Sequence, residues 1–150
     1  MRRTVTLAPL AVAAALLVSG CTPDVTRQRV ESDVSTTYSH QFDLWRTYQG
    51  KRAAHLRPTA ECHRSGEHNG DKGPGSWGCQ LAYPDPDTGK KASVFEVVLM
   101  AGDTCYQGLN PDFNDKPTIR DVHTARTMPN PLFQFDGCLN VYDANKSTTK

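Results

Sequence analysis

Four of the five cysteines constrain this 150-residue chain more than any other feature of its sequence. An even number of cysteines in a small extracytoplasmic domain is typical of a disulfide framework. A zinc site is the alternative, but the chain has no C-x-x-C pair and its cysteine spacings are not those of a zinc finger. The sequence therefore predicts two disulfides among Cys62, Cys79, Cys105 and Cys138.

The position of the cysteines along the chain favours one of the three pairings. Cys62 and Cys79 flank a segment of glycine and polar residues. Hydrophobic burial cannot order such a segment, and a bridge would close it. A second bridge, from Cys105 to Cys138, would tie a central strand to the C-terminal segment. We expect these two bridges, and the crossed pairing stays open if the segment at Cys62 lies beside that strand.

The N-terminus has the features of a lipoprotein signal peptide. Arg2 and Arg3 precede an apolar run, residues 7–18. This run is shorter than the roughly 20 residues of a membrane-spanning helix. It ends in Ser19-Gly20-Cys21, which resembles the lipobox of bacterial lipoproteins, where the cysteine thiol receives a diacylglycerol.

These features predict the domain organisation of the chain. We expect a signal peptide over residues 1–20 and a single disulfide-stapled domain over residues 21–150, with a short flexible C-terminal tail. Cys21 is the predicted lipidation site, and its diacylglycerol is the only bound group that we expect. The predicted location is the extracytoplasmic face of the bacterial cell membrane, because two acyl chains make anchoring stable.

The charge balance of the mature chain excludes some classes of binding partner. Removing Arg2 and Arg3 from the 17 basic residues leaves 15, against 16 acidic residues, a net charge of −1. Such a chain is expected neither to bind nucleic acid nor to attach to a membrane by charge. We expect membrane contact through the lipid, and an envelope protein or ligand as the further partner.

Hydrophobic periodicity predicts an α+β fold. Apolar residues recur every three or four positions from Val30 to Trp45, which predicts an amphipathic helix that begins at Thr22 and ends at Gly50. Strand-like alternation then places Trp77 with Cys79 and Leu81, and Phe95 with Val97 and Leu99, while residues 110–131 are expected to be mostly loop. The predicted fold is one N-terminal amphipathic helix packed on an antiparallel meander of about four strands, stapled by two disulfides.

A set of motifs resembles small secreted lipoproteins of high-GC actinobacteria. After the lipobox and the helix come Gly-Pro-Gly-x-Trp-x-Cys at 73–79, Asp-x-Cys-Tyr at 103–106 and Phe-Asp-Gly-Cys at 135–138. The second motif departs from the family pattern. The family is expected to have Asp-Gly-Cys here, and Thr104 takes the place of the glycine. The resemblance covers most of the mature chain and implies the anchor and the two bridges, but no activity and no active site.

Groups able to perform chemistry concentrate in one polar stretch, residues 61–71. Its candidate metal ligands are His63, Glu67 and His68, because imidazoles and carboxylates bind transition metals. Their spacing matches no known metal site, and solvated loops commonly carry such residues, so we expect no tight metal site. The sequence also lacks phosphate-loop and dinucleotide motifs. We expect no catalytic residue and no enzyme activity.

Two functions follow from these observations. The favoured one is a non-catalytic binding or interaction module at the cell envelope, with Trp77 and Tyr106 as candidate residues of an exposed binding surface. The alternative is a metal-binding protein or a small hydrolytic enzyme that uses the loop at residues 61–71. The alternative requires His63, His68 and a third ligand to meet in one pocket.

Overall fold

The computed structural model describes residues 25–66, 70, 72–101, 104–113 and 116–139. The predicted signal peptide, Cys21 and most of the predicted C-terminal tail lie outside these residues. The elements are α1 (Arg27–Tyr48), β1 (Thr59–Arg64), β2 (Ser76–Pro84), β3 (Lys91–Ala101), β4 (Cys105–Leu109), β5 (Thr118–Arg120), β6 (Thr127–Pro129) and β7 (Gln134–Cys138), with a short 3-10 turn at Pro111–Phe113. No helix in the described part of the chain is long and apolar enough to cross a membrane.

The main sheet has five strands in the order β1-β2-β3-β4-β7, and all its neighbours are antiparallel. The predicted α+β class is confirmed, with a helix packed on an antiparallel meander. Two details differ from the prediction. The sheet gains β1 as an edge strand, and residues 110–131, which are mostly loop as predicted, also contain the 3-10 turn and the β5–β6 hairpin. Strands of three residues, such as β5 and β6, are too short to show a recognisable alternation.

The helix begins later than predicted. Thr26 is the N-cap residue, and its side chain accepts a hydrogen bond from Arg29 N at 3.4 Å. The backbone before the helix is extended because Thr26 forms a β-bridge with Lys72, and Val25 O accepts from Gly73 N at 2.8 Å. A helix that started at Thr22 would lose this pairing.

The predicted end of the helix at Gly50 is confirmed. Gly50 has a φ of 71°, and Gln49 is the C-cap. Gly50 N donates to Thr47 O at 2.9 Å, and Lys51 N donates to Arg46 O at 2.9 Å. This pair of bonds satisfies two carbonyls at the end of the helix, and its left-handed residue favours glycine.

The core lies between α1 and one face of the sheet, which we call the inner face. The helix contributes Val30, Val34, Tyr38 and Phe42, all buried, as the periodicity predicts. The inner face contributes alternate residues of the strands, among them Trp77, Cys79, Leu81, Val94, Val98, Tyr106 and Phe135.

Both predicted disulfides are present, and each joins residues directly opposite one another on neighbouring strands. Cys62–Cys79 links β1 to β2 and is fully buried on the inner face. Cys105–Cys138 links β4 to β7 on the other face of the sheet, where Cys138 is exposed. Two such bridges indicate an oxidising, extracytoplasmic location for the domain.

Candidate functional site

The predicted surface residues Trp77 and Tyr106 are buried, so their assignment to a binding surface is wrong. Trp77 is 0% exposed and Tyr106 is 2% exposed, both on the inner face under the helix. Tyr106 donates a hydrogen bond to Thr37 Oγ1 of α1 at 3.0 Å, and burial raises the pKa of its phenol. The two rings therefore serve the core.

The polar stretch at residues 61–71 is only partly described. Glu61 and His63 are exposed on β1, whereas Glu67, His68 and Asp71 lie outside the described residues. Among the described residues, no group of three or more His, Cys, Asp or Glu side chains is arranged to hold a metal ion. Arg64 organises the adjoining loop, because its guanidinium donates to Lys72 O at 3.0 Å and to Pro74 O at 2.6 Å.

An aspartate–histidine pair near the end of α1 is the clearest titratable contact. Asp43 Oδ2 lies 3.0 Å from His55 Nδ1, and Asp43 Oδ1 accepts from the backbone N–H groups of Ala54 and His55 at 2.6 and 3.0 Å. His55 has a φ of 50°, which is strained for a residue with a side chain. Two nearby helix hydroxyls are engaged with backbone carbonyls, since Ser39 donates to Leu56 O at 2.7 Å and Thr47 donates to Asp43 O at 2.9 Å. The pair therefore supports the loop after α1, with no nucleophile aligned to it in the described chain.

The outer face of the sheet, opposite to α1, carries an apolar strip. Phe95 and Leu99 of β3 are each 41% exposed, with the half-buried Val97 between them. Leu109 of β4 lies directly opposite Val97 and widens the strip. The ring of Phe95 covers Gly78 of β2, where an added Cβ would lie 2.9 Å from Cζ of that ring.

The predicted alternation on β3 groups Phe95, Val97 and Leu99, and the structure places this group on the outer face. Phe95 and Leu99 point outward, whereas Val94, Glu96 and Val98 are buried on the inner face. The reason is register, because Glu96 pairs with Cys79 and Val98 pairs with Trp77, both inner-face residues of β2.

Two exposed cations, Arg57 and Lys91, stand at one end of this outer face. Lys91 is the first residue of β3 and pairs with Pro84, and Arg57 lines the same surface depression as Pro84 and Lys91. Within the described chain, neither cation forms an ion pair with a carboxylate. The nearest turn, between β2 and β3, holds two carboxylates that are already engaged. Asp87 pairs with Arg46 and Lys51 at 3.0 and 2.7 Å, and Asp85 accepts from Thr88.

Two adjoining depressions extend from these cations over the outer face. The first has a volume of about 400 Å³ and is lined by Arg57, Thr59, Ala82, Tyr83, Pro84, Gly89 and Lys91. The second has a volume of about 500 Å³ and is lined by Thr59, Ala60, Glu61, Gln80, Ala82, Lys91 and Ser93. Small side chains at Ala82 and Ser93 form the floor, between the cations and the ring of Phe95. Both depressions are shallow and open to solvent.

A buried carboxyl group lies beneath the outer face. Glu96 is 0% exposed, its Oε1 accepts from Asn110 Nδ2 at 3.0 Å, and its Oε2 has no hydrogen-bond partner. Burial raises the pKa of Glu96 to about 8, the bond from Asn110 lowers it, and the charge of Asp112 raises it. The carboxyl group of Glu96 is therefore protonated and uncharged in the folded protein below about pH 8.

The sequence contained only part of the signal for this outer-face site. Arg57 and Lys91 are 34 positions apart in the chain, and neither belongs to a motif. The sequence does indicate that both faces of β3 carry apolar residues, because Val94 and Val98 alternate with Phe95 and Leu99. Comparison with known protein families, with curated protein sequences and with solved structures finds no match to this chain.

Proposed function

We propose that this protein is a membrane-anchored extracytoplasmic lipoprotein of the small actinobacterial kind, whose domain is a non-catalytic binding module. Its binding surface is the outer face of the sheet. The observation that carries this proposal is that an exposed apolar strip at Phe95 and Leu99 continues the line of Lys91 on β3, where Lys91 and Arg57 pair with no carboxylate of the described residues. Such a surface fits a ligand that has an anionic group beside an apolar group.

The rigidity of this surface supports a binding role. The two bridges fix the β1–β2 and β4–β7 registers covalently, and β3 is held between these two pairs by its antiparallel ladders with β2 and β4. A rigid sheet face loses little conformational entropy when a ligand binds, which favours affinity.

The anchor is supported by the lipobox-like sequence that ends in Cys21 and by the oxidising location that the two bridges indicate. Its test is the incorporation of radiolabelled palmitate by bacteria that express the protein. We expect label in the natural chain and none in Cys21→Ser, with equal expression as the control. Label that persists in Cys21→Ser would contradict the anchor.

The binding surface is tested with three small probes that have similar six-carbon alkyl chains and head groups of different charge. The whole mature chain, residues 21–150 with Cys21→Ser, is isotopically labelled and titrated with hexanoate, hexylammonium and hexanol. This chain contains every element of the described fold. We expect hexanoate alone to shift the amide resonances around Arg57, Ala82 and Lys91. Equal shifts with hexylammonium, or shifts elsewhere only, would overturn the outer-face site.

The metal-binding alternative is separated by a zinc titration of the same chain. We expect no submicromolar site. Submicromolar binding that disappears in the double variant His63→Ala with His68→Ala would favour the alternative, and the outer-face proposal would then lose its claim to be the main function.

A further inference from the structure

The depressions and the apolar strip form one continuous path along β3, and we propose that this path binds a single-chain anionic amphiphile. The anionic head would lie at Arg57 and Lys91, and the alkyl chain would run over Ser93 and Phe95 toward Leu99. This inference rests on the proposed function and names the ligand class of that same surface.

The path has a defined direction because its polar and apolar ends differ. Lys91, Ser93, Phe95 and Leu99 are all outward residues of β3. At about 3.3 Å per residue, Phe95 lies roughly 13 Å from Lys91 and Leu99 lies roughly 26 Å from it. A head group held by Lys91 therefore places the start of a chain over Ser93 and its middle over Phe95.

The floor of the path is shaped for a thin ligand. Between the cations and Phe95, the outward residues Ala82 and Ser93 are small, and they lie opposite one another on β2 and β3. This part forms the depression of about 500 Å³. Beyond it, the far edge of the Phe95 ring reaches over Gly78, where there is no side chain to lift it. A flexible alkyl chain fits such a shallow strip better than a globular partner does.

Charge along the path sets the orientation of the head. Glu61 lies on the wall of the larger depression and is exposed, and it disfavours an anionic group there. The other depression has Arg57 and Lys91 and no carboxylate among its lining residues. The anion is therefore directed to the Arg57 end and the chain away from it.

The first measurement is a calorimetric titration of the mature Cys21→Ser chain with straight-chain carboxylates from butanoate to dodecanoate, each below its micelle concentration. We expect the affinity to rise about two- to fourfold for each added methylene until the chain covers the strip. Hexanoate that binds with no gain for longer chains would overturn this inference and leave the proposed function standing. If no carboxylate binds, both fail.

The second measurement separates the two ends of the path. Phe95→Ser should reduce dodecanoate affinity at least threefold and leave hexanoate affinity unchanged, because only the longer chain reaches Phe95 from a head group at Lys91. The matched control is Val122→Ser, which removes another exposed apolar side chain away from the outer face and should change neither. The double variant Arg57→Gln with Lys91→Gln should reduce dodecanoate affinity roughly three- to tenfold.

The third measurement distinguishes a bound amphiphile from a membrane surface. The same chain is mixed with vesicles of phosphatidylglycerol and with vesicles of phosphatidylcholine. We expect no stable vesicle binding without the lipid anchor. Binding to phosphatidylglycerol vesicles that depends on Leu99, with no binding of monomeric dodecanoate, would overturn the inference in favour of docking on an anionic bilayer.

Discussion

The ring of Tyr106 lies across Gly137, its direct partner on the neighbouring strand β7. Two pairs along, at the next pair that faces inward, the ring of Phe135 lies across Gly108 of β4. A Cβ at either glycine would collide with the ring opposite. The two glycines therefore let two aromatic side chains lie flat on the inner face beneath α1, and the Phe-Asp-Gly-Cys motif at 135–138 has a packing role.

Gly137→Ala should destabilise the domain by about 1–3 kcal/mol, because Tyr106 must leave its position or the strands must separate. The measurement is urea unfolding followed by circular dichroism. Gly70→Ala is the matched control, since no atom lies within 4 Å of an added Cβ there and Gly70 does not require a positive φ. An equal loss in both variants would contradict the role of the Tyr106 contact.

Asp43→Ala should destabilise the fold by about 1–3 kcal/mol, because two backbone N–H groups lose their acceptor. Those bonds also hold His55 at its positive φ. Asp43→Asn should lose less, because an amide oxygen can still accept both bonds. The free energies are measured by urea unfolding, with Asp136→Ala, an exposed aspartate on β7, as the control. A loss of equal size in Asp136→Ala would contradict this account.

The stability of the domain should fall as the pH rises from about 4.5 to about 8. Glu96 has its pKa raised from 4.5 to about 8 in the folded state, chiefly by burial. The unfolded chain therefore releases this proton at lower pH than the folded chain does. Stability from the neutral carboxyl is complete below the unfolded pKa and is lost through the folded one, by up to about 1.4 kcal/mol for each pH unit.

The measurement for Glu96 is urea unfolding at a series of pH values for the natural chain and for Glu96→Gln. The variant keeps a neutral oxygen for Asn110 and should remove most of the decline. It should exceed the natural chain in stability at pH 8. Parallel pH profiles for the two proteins would mean that another group causes the decline.

The two disulfides should differ in their reaction with a mild reductant. Cys105–Cys138 lies on the outer face with Cys138 exposed, whereas both sulfurs of Cys62–Cys79 are covered by α1. Alkylation after brief reduction, followed by peptide mapping, should label Cys105 and Cys138 first. Earlier labelling at Cys62 would contradict the assigned burial.

Removing either disulfide should also lower stability by amounts that follow loop length. The sequence separations of 17 and 33 residues correspond to about 3 and about 4 kcal/mol. The comparison is between the double variants Cys62→Ala with Cys79→Ala and Cys105→Ala with Cys138→Ala, each measured by urea unfolding. A larger loss for the first pair would indicate that native contacts outweigh chain entropy.

Local patterns in the sequence predicted the buried stripe and the end of the helix, and favoured the disulfide pairing that the structure has. The helical stripe from Val30 to Phe42 has one period and one buried side, so its packing follows from the sequence alone. Gly50 ends the helix for a local conformational reason. The preferred pairing of Cys62 with Cys79 was also local, because a bridge across one connection needs no knowledge of distant strands.

The start of the helix and the faces of the strands were decided by tertiary contacts. Thr26 became the N-cap because Val25 and Thr26 pair with the chain at residues 72–73. On β3 both faces carry apolar residues, so alternation by itself does not state which face is buried. The register of β3 with β2 decides which face is buried. It places Glu96 on the inner face, where it accepts a hydrogen bond from Asn110, and Phe95 on the outer face.

The candidate site also depends on the tertiary structure. Arg57 and Lys91 line one depression only because β1, β2 and β3 are neighbours in the sheet. Trp77 and Tyr106 are buried only because α1 packs on their face of the sheet. A sequence encodes periodicity, caps and covalent links within short segments. Burial and charge pairing between strands depend on register and on which face the helix covers, and these are properties of the assembled sheet.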